Sequence, residues 1–344
     1  MSLLSPSGLH LCIAPDRPPV LGAPPLGDLA SAEDWLAERR DAIRGELLRH
    51  GHLMIRGLPV ATPADFAAVR DILLAERAAY KEKATPRSSF GDDVFSSTDL
   101  PPAQPIKLHN ENSYTLDFPG VLLFGCLKAP AEGGATTVAD VREVLATVPA
   151  DLAGRFDEVG WLLNRSYHTT AGLPWTTSFG TDDRAVVERY CADNLVGCHW
   201  VGEADLRTSQ RRSAIVTHPV TGDRVWFNHA AFWSRWSLDV EIQEVLVDTY
   251  GDDALPFDTA FGDGEPLGEE QVRSLNEAYD GAIRRESWQP GDLMLVDNIL
   301  SAHGRDAFRG GRSILVAMGE PVSLHDCAPT VEPAAGPGVK GSIA

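Results

Sequence analysis

Three short runs, "GVLLFGCL" (Gly120 to Leu127), "GDLMLVDN" (Gly291 to Asn298) and "RSILVAMG" (Arg312 to Gly319), constrain the fold of this chain more than any other feature. Their apolar stretches are too short for typical buried helices. Pro290-Gly291 and Gly310-Gly311 supply turns before the last two. Runs of this kind read as buried β-strands. "HLMIRG" (His52 to Gly57), "GGATTVAD" (Gly133 to Asp140), "WLLNRSYH" (Trp161 to His168) and "RVWFNHA" (Arg224 to Ala230) read as further strands. Helical signals are confined to two regions. Ser31 and Asp34 open a helix that reaches about His50, with Trp35, Ile43 and Leu47 at helical spacing. A second begins at Thr62-Pro63, N-cap and first position, and carries Phe66, Val69, Ile72 and Leu73 on one face. The other helical region is an insertion at about 237–285, including Leu238 to Tyr250 and Glu269 to Arg284. Many strands at irregular spacing, with helices at the start and in one insertion, predict a mainly β protein with helical decoration. The expected core is a double-stranded β-helix, or jelly roll.

On this reading residues 1–30 are an N-terminal extension, 31–322 the jelly-roll domain and 323–344 a flexible tail. Periodicity disappears from Lys81 to Ile106, a stretch rich in Pro, Ser and Asp that reads as a lid loop. At 344 residues, 43% hydrophobic and 23% charged, the chain is able to bury a large core. A formal net charge of −19 argues against nucleic-acid binding, which needs basic surface. No apolar run is long enough to span a bilayer, and the first twenty residues carry neither the basic nor the apolar region of a secretory signal. Five cysteines, an odd number without a C-x-x-C pair, give neither a disulfide framework nor a zinc ribbon. Cys191, Cys198 and His199 fit no zinc spacing, so buried thiols in a reducing, cytoplasmic compartment are expected. Oligomeric state leaves no trace in the sequence.

"KLHNENSYT" (Lys107 to Thr115) sets His109 and Glu111 two residues apart, on one face if the segment is extended. Alone, the pair is weak evidence, because an H-x-E triplet arises often by chance and is more often surface polarity at a strand end than a ligand pair. Among the ten histidines the most informative is His303, in "LVDNILSAHGRDAFRGGRSILVAMG". It reads as lying in a loop between a buried strand and the strand that Arg312 opens. Two histidines and a carboxylate on one face of an octahedron leave three positions open, a marker of non-haem Fe(II) oxygenases. Asn110, Asn112, Asp297 and Asn298 are candidates, by proximity, to orient these ligands.

Taken in order, H-x-E, "APAEGGATTVAD" and "LVDNILSAHGR…GGRSILVAM" resemble the taurine-dioxygenase-like (TauD/TfdA) family of Fe(II)/2-oxoglutarate oxygenases. The closest likeness is to its SyrP-like branch, whose members hydroxylate amino acids for peptide natural products. "NRSYH", "THPVTGDRVWFNHA" and "FGDGEPL" extend the likeness over roughly residues 30 to 322. The resemblance implies that His109, Glu111 and His303 bind iron, that Thr136 bonds the 2-oxoglutarate carboxylate, and that Arg312 pairs with its distal carboxylate. Arg305 and Arg309 are the alternatives to Arg312. It further implies consumption of O2 and 2-oxoglutarate, release of succinate and CO2, and hydroxylation of an unactivated C–H. A carboxylate at position 111 argues against halogenation. Asn110, Asn112, Arg165, His168, Trp175 and Asn228 are candidate substrate contacts, although Trp175 serves equally as plain core and Arg165 as a strand-edge charge. The expected partner is a small molecule, an amino acid or a derivative of one, free in preference to tethered on an acidic carrier protein. The alternatives are a catabolic oxygenase of a small sulfonate or carboxylate, a desaturase, epoxidase or cyclase on the same scaffold, and a metal-binding jelly roll without turnover.

Overall fold

The computed structural model describes residues 2–4, 8–78, 82, 87–168, 172–202 and 204–337. The three apolar runs lie side by side. Strand Asp117–Lys128 sits between Leu293–Asp297 and Ser313–Ser323, antiparallel to both. His52–Arg56 continues the sheet beyond Leu293–Asp297, and the whole sheet has nine strands. Successive side chains of a strand face opposite ways. Leu123, Leu293, Leu295, Leu315 and Ala317 therefore pack under Leu36, Ile43, Leu47, Phe66 and Val69 of helices Leu29–His50 and Pro63–Leu73. Leu122, Phe124, Met294, Val296, Val316 and Met318 face the other way and meet Val138 of a second sheet. A strand set between two apolar layers packs side chains on both faces, which is why these runs are unbroken. Each buried Leu or Val contributes about 1.5–3 kcal/mol of transfer free energy.

The helices begin where side chains can take up their first amides. Asp28 accepts from Ser31 N at 2.9 Å, and Thr62 and Asp65 cap each other reciprocally. The second sheet has four strands in the order Ile283–Arg284, Thr136–Asp140, Ser301–Arg305, Ile106–His109. It closes over the inner face of the large sheet, and the two make the jelly roll. A third sheet, built from Gly197–Val201, Asp205–Arg212, Trp161–Tyr167 and Phe257–Phe261, stands beside them.

Several segments differ from the sequence expectation. His303 is not in a loop: Ser301–Arg305 is a fully buried strand whose polar composition hides it. "RVWFNHA" is extended only through Trp226, because Asn228 bonds Ala214 O and Ala230 N and turns the chain. Within the stretch expected to be a lid loop, Ser89–Gly91 and Val94–Ser96 form a hairpin on the edge of the large sheet. Asp92 and Asp93, at φ 53° and 55°, make its turn, a conformation Asp tolerates better than most side chains. Residues 81 and 83–86 of that stretch lie outside the described residues. His10–Ala14 and Arg17–Gly22 join the large sheet, so the first thirty residues contribute to it. Towards the C-terminus Ala334–Ala335 pairs with Asp205–Arg212, while 338–344 lie outside the described residues. The helical insertion holds Val240–Tyr250 and Glu269–Ala282, with strand Phe257–Phe261 between them. No helix among the described residues is long and apolar enough to cross a membrane.

Candidate metal centre

His109 ends the edge strand of the small sheet and is the direct cross-strand partner of His303. Their ring centroids are 4.4 Å apart. Gly304 permits this pairing, since a Cβ there would meet Ile106 O at 2.5 Å and Thr137 Oγ1 at 2.8 Å. Glu111 reaches the same place by another route than strand periodicity. The strand stops at His109, and Glu111 lies in the turn that follows. Asn298 holds that turn: its Oδ1 accepts from Glu111 N at 2.7 Å, and its Nδ2 donates to Glu111 O at 2.9 Å and Pro119 O at 2.8 Å. At the far end Gln210 and Arg212 donate to Tyr114 O at 2.6 and 2.8 Å. His109, Glu111 and His303 each offer one ligand atom, and these atoms all lie within 4.8 Å of one another.

The protonation states suit a cation. His109 Nδ1 lies 2.9 Å from Lys107 O, which fixes the ring. Burial, aided by His303, pulls its pKa down to about 3, so the imidazole is neutral. Burial opposes ionisation of Glu111, but Arg87, His303 and His109 outweigh it and hold the carboxyl below the usual range. Neutral imidazole and ionised carboxylate are the metal-binding forms. His303 presents Nε2 to Glu111 Oε2 at 3.5 Å. Two nitrogens and one oxygen without a thiolate match Fe(II) with open positions. Phe232 is tilted against His109 and Phe124 against His303, with ring centroids 4.6 and 5.4 Å apart, giving the centre an apolar wall. His229, stacked on Trp233 at 4.2 Å and 2.6 Å from Ser113 Oγ, lies behind His109.

Arg312 and Thr136 stand on neighbouring parts of the barrel. Arg312 Nε donates to Gly134 O at 3.1 Å and Nη1 to Ser97 Oγ at 2.8 Å. Neither is an anion, and no carboxylate among the described residues forms an ion pair with it. Burial, with Arg305 nearby, pulls its pKa down to about 10. The alternatives are committed elsewhere. Arg305 gives its two terminal nitrogens to the carbonyls of Thr98, Leu100, Pro101 and Gln104. Arg309 is exposed beside Glu132. Thr136 is buried on the strand facing Arg305, with no hydrogen bond from its hydroxyl to the described residues. A half-buried guanidinium that meets no carboxylate among the described residues fits the distal carboxylate of 2-oxoglutarate.

The family model for "Taurine catabolism dioxygenase TauD, TfdA family" matches residues 14–318. The chain belongs to this family. It is an Fe(II)/2-oxoglutarate-dependent dioxygenase. The chain is 32% identical over 312 residues to the dapdiamide synthesis protein DdaC of Enterobacter agglomerans, covering 89% of this chain and 94% of that one. A clavaminate synthase-like protein of Arabidopsis thaliana is 26% identical over 279 residues, covering 78% and 81%. Among solved structures, a taurine dioxygenase from Burkholderia xenovorans superposes with a TM-score of 0.53 at 15% identity, covering 97% of this chain and 96% of that one. AAD-2 in complex with Mn(II) and N-oxalylglycine gives 0.52 at 13%, covering 94% and 99%. These two likenesses carry the fold, a TauD-like jelly roll.

The expected substrate contacts of this TauD-family chain lie mostly in its framework. Asn110 points away from the triad and donates to Asn298 O and Ser301 O. Asn112 sits at φ 53° in the turn and accepts from Tyr114 Oη at 3.3 Å. Arg165 is buried against Glu82 at 3.3 Å and over the rings of Tyr167 and Phe257. His168 bonds Ala254 O and stacks on Tyr250, and Trp175 donates to Ala204 O within a separate apolar cluster. Asn228 spends its amide on the backbone. The residues that do wall the triad, Phe124, Phe232, His229 and Arg87, carry no sequence signal beyond residue type. Arg87 is the clearest omission: its side chain is only 5% exposed, and its Nη2 donates to Glu111 Oε2 at 2.8 Å.

Proposed function

We propose that the chain hydroxylates an unactivated C–H of an amino acid or amino-acid-derived small molecule in the making of a natural product. The observation that carries the substrate class is the likeness to a dapdiamide synthesis protein over nearly the full length of both chains. His109, Glu111 and His303 hold the metal on one face, and Thr136 with Arg312 receives 2-oxoglutarate. Bound iron and 2-oxoglutarate supply the oxidation: with O2, the cosubstrate becomes succinate and CO2 and one oxygen atom enters the substrate. The protein's part is placement. Asn298 fixes the turn that aims Glu111, Lys107 O fixes the His109 ring, and Phe124 and Phe232 keep water from the centre. A net charge of −19 supports a free substrate over one tethered to an acidic carrier. The test is mass spectrometry of aerobic reactions containing Fe(II), 2-oxoglutarate and an amino-acid panel, with each acid run free and carrier-loaded. A product heavier by one oxygen, absent in His109→Ala, Glu111→Ala and His303→Ala, is expected. Turnover confined to sulfonates or to non-amino carboxylates overturns the substrate class.

A further inference from the structure

We infer that His229 is a specificity-determining residue: its Nε2–H donates to a carboxylate or carbonyl oxygen of the substrate, and Ser113 sets the ring for that role. The inference rests on the oxygenase reading of the site and adds to it a requirement on the substrate. His229 follows the buried strand end at Trp226, where Asn228 turns the chain. Trp233 N donates to His229 O at 3.2 Å, and Thr259 Oγ1 donates to Ala230 O at 2.7 Å, so the backbone here is pinned. This single turn sets the indole of Trp233 nearly parallel to the imidazole, at 22° and 4.2 Å, and brings Phe232 edge-on to it at 5.4 Å. The His109 ring lies 5.4 Å from His229, and Phe232 lies against both. His229 thus stands in the wall of the metal centre.

The proton on the ring follows from its partner. Ser113 Oγ is 2.6 Å from His229 Nδ1, and the two residues are only 1% and 2% exposed. The hydroxyl has a hydrogen to donate, and Nδ1 is the only acceptor it reaches among the described residues. A ring nitrogen that accepts carries no proton, so the imidazole is neutral and holds its hydrogen on Nε2. That Nε2–H makes no hydrogen bond to the described residues. His218, also buried, is different: its Nε2 meets Asp297, and its Nδ1 accepts from Val220 N and Thr221 N. A buried N–H without an acceptor is unfavourable. Here it faces that cost in the wall of the centre where a substrate must present its C–H, and an oxygen of the substrate relieves it. Because the donor is neutral, it does not demand an anion. The carboxylate of a free amino acid and the carbonyl of an amide or thioester both serve. A substrate without such an oxygen leaves the N–H unpaired, and sites built to make a hydrogen bond reject analogues that lack it.

The test compares wild type, His229→Phe, His229→Gln and Ser113→Ala. Phenylalanine keeps a ring against Trp233 without a donor, and glutamine restores an amide N–H. Mn(II) and N-oxalylglycine are titrated first, and all four proteins are expected to bind both. Matched ligands follow: amino acids, their primary amides and their decarboxylated amines. His229→Phe is expected to lose acid and amide binding by about tenfold or more and to leave the amine unchanged. His229→Gln recovers part of the loss, and Ser113→Ala, whose ring is free to change tautomer, falls between. Equal losses of acid, amide and amine in His229→Phe would mean that the ring serves packing alone and would overturn the inference. So would loss of Mn(II) binding in both His229 variants, which would make the residue a support of His109. Nitrogen NMR of the isotope-labelled, Zn(II)-loaded protein reads the tautomer without substrate, the His229 signals being those missing from His229→Phe. A proton on Nε2 is expected, and one on Nδ1 overturns the inference. If wild type binds no amino acid, the amino-acid reading fails by itself, and simple carboxylates decide His229. A carboxylate bound by wild type and lost in His229→Phe sustains the donor. Carboxylates that survive the substitution, or a wild type that binds none of these ligands, overturn it.

Discussion

Replacing Asn298 by alanine tests whether the turn carrying Glu111 is held as the geometry indicates. Asn298 is fully buried, and its side chain makes three hydrogen bonds, one from Glu111 N and two to the carbonyls of Glu111 and Pro119. The substitution strands three backbone groups. Each buried, unsatisfied group costs about 1–3 kcal/mol, and water entering the vacated space recovers part, so a net loss of about 3 kcal/mol is expected. Glu111 also loses its fixed aim, and support of this kind for a ligand is worth about ten- to a hundredfold in metal affinity. Asn298→Asp is the control. It still accepts from Glu111 N but cannot donate to either carbonyl, and should be at least as damaging as alanine. Urea unfolding of the metal-free protein gives the first quantity and Mn(II) titration the second. An Asn298→Ala protein that unfolds at the wild-type urea concentration and binds Mn(II) within about twofold of wild type would refute the clamp.

Arg312→Ala should weaken 2-oxoglutarate binding by about 2–4 kcal/mol in a cosubstrate titration, with Mn(II) binding unchanged. Arg305→Ala should instead lower stability, because four loop carbonyls lose their donor, and Arg309→Ala should do neither; normal 2-oxoglutarate binding by Arg312→Ala would move the cosubstrate site. Burial pulls the pKa of His52, 2.9 Å from Ser301 Oγ, down to about 4. The folded state refuses a proton that the unfolded chain accepts near pH 6.5. Its stabilising share is therefore whole above about 6.5, falls as the pH drops towards 4, and amounts to about 3 kcal/mol. Unfolding free energies of the metal-free protein between pH 7 and 4 should fall less steeply in His52→Gln than in wild type, and equal slopes would count against this assignment.

The elements that could be read from the sequence are those whose packing demands leave few residue choices. A strand packed between two apolar layers is apolar along most of its length, so Asp117–Lys128 and Leu293–Asp297 declare themselves. Helix Pro63–Leu73 declares itself through Thr62, Pro63 and Asp65. Strand Asp205–Arg212, "DLRTSQRR", does not, because Thr208, Ser209, Gln210 and Arg212 are buried polar groups whose partners are distant in sequence. Pattern alone does not separate a satisfied buried polar group from an exposed one. Ser301–Arg305 was hidden for the same reason, although the family motif still marks His303. Metal-ligand types and spacing are thus visible where the backbone that presents them is not. Asn298 could be suspected only from its nearness to the site, since the bond it makes to Glu111 spans 187 residues.

The arginines show most plainly where residue type stops and geometry takes over. Arg212 and Arg305 meet backbone carbonyls, five for the first and four for the second, so their charge stitches loops together. Arg165 meets Glu82, and Arg70 meets Asp71 and Asp92, so both are balanced within the chain. Arg312 meets a carbonyl and a hydroxyl and, among the described residues, no carboxylate. Because burying a guanidinium without an anion is unfavourable, the chain retains that cost at Arg312 only if something from outside relieves it.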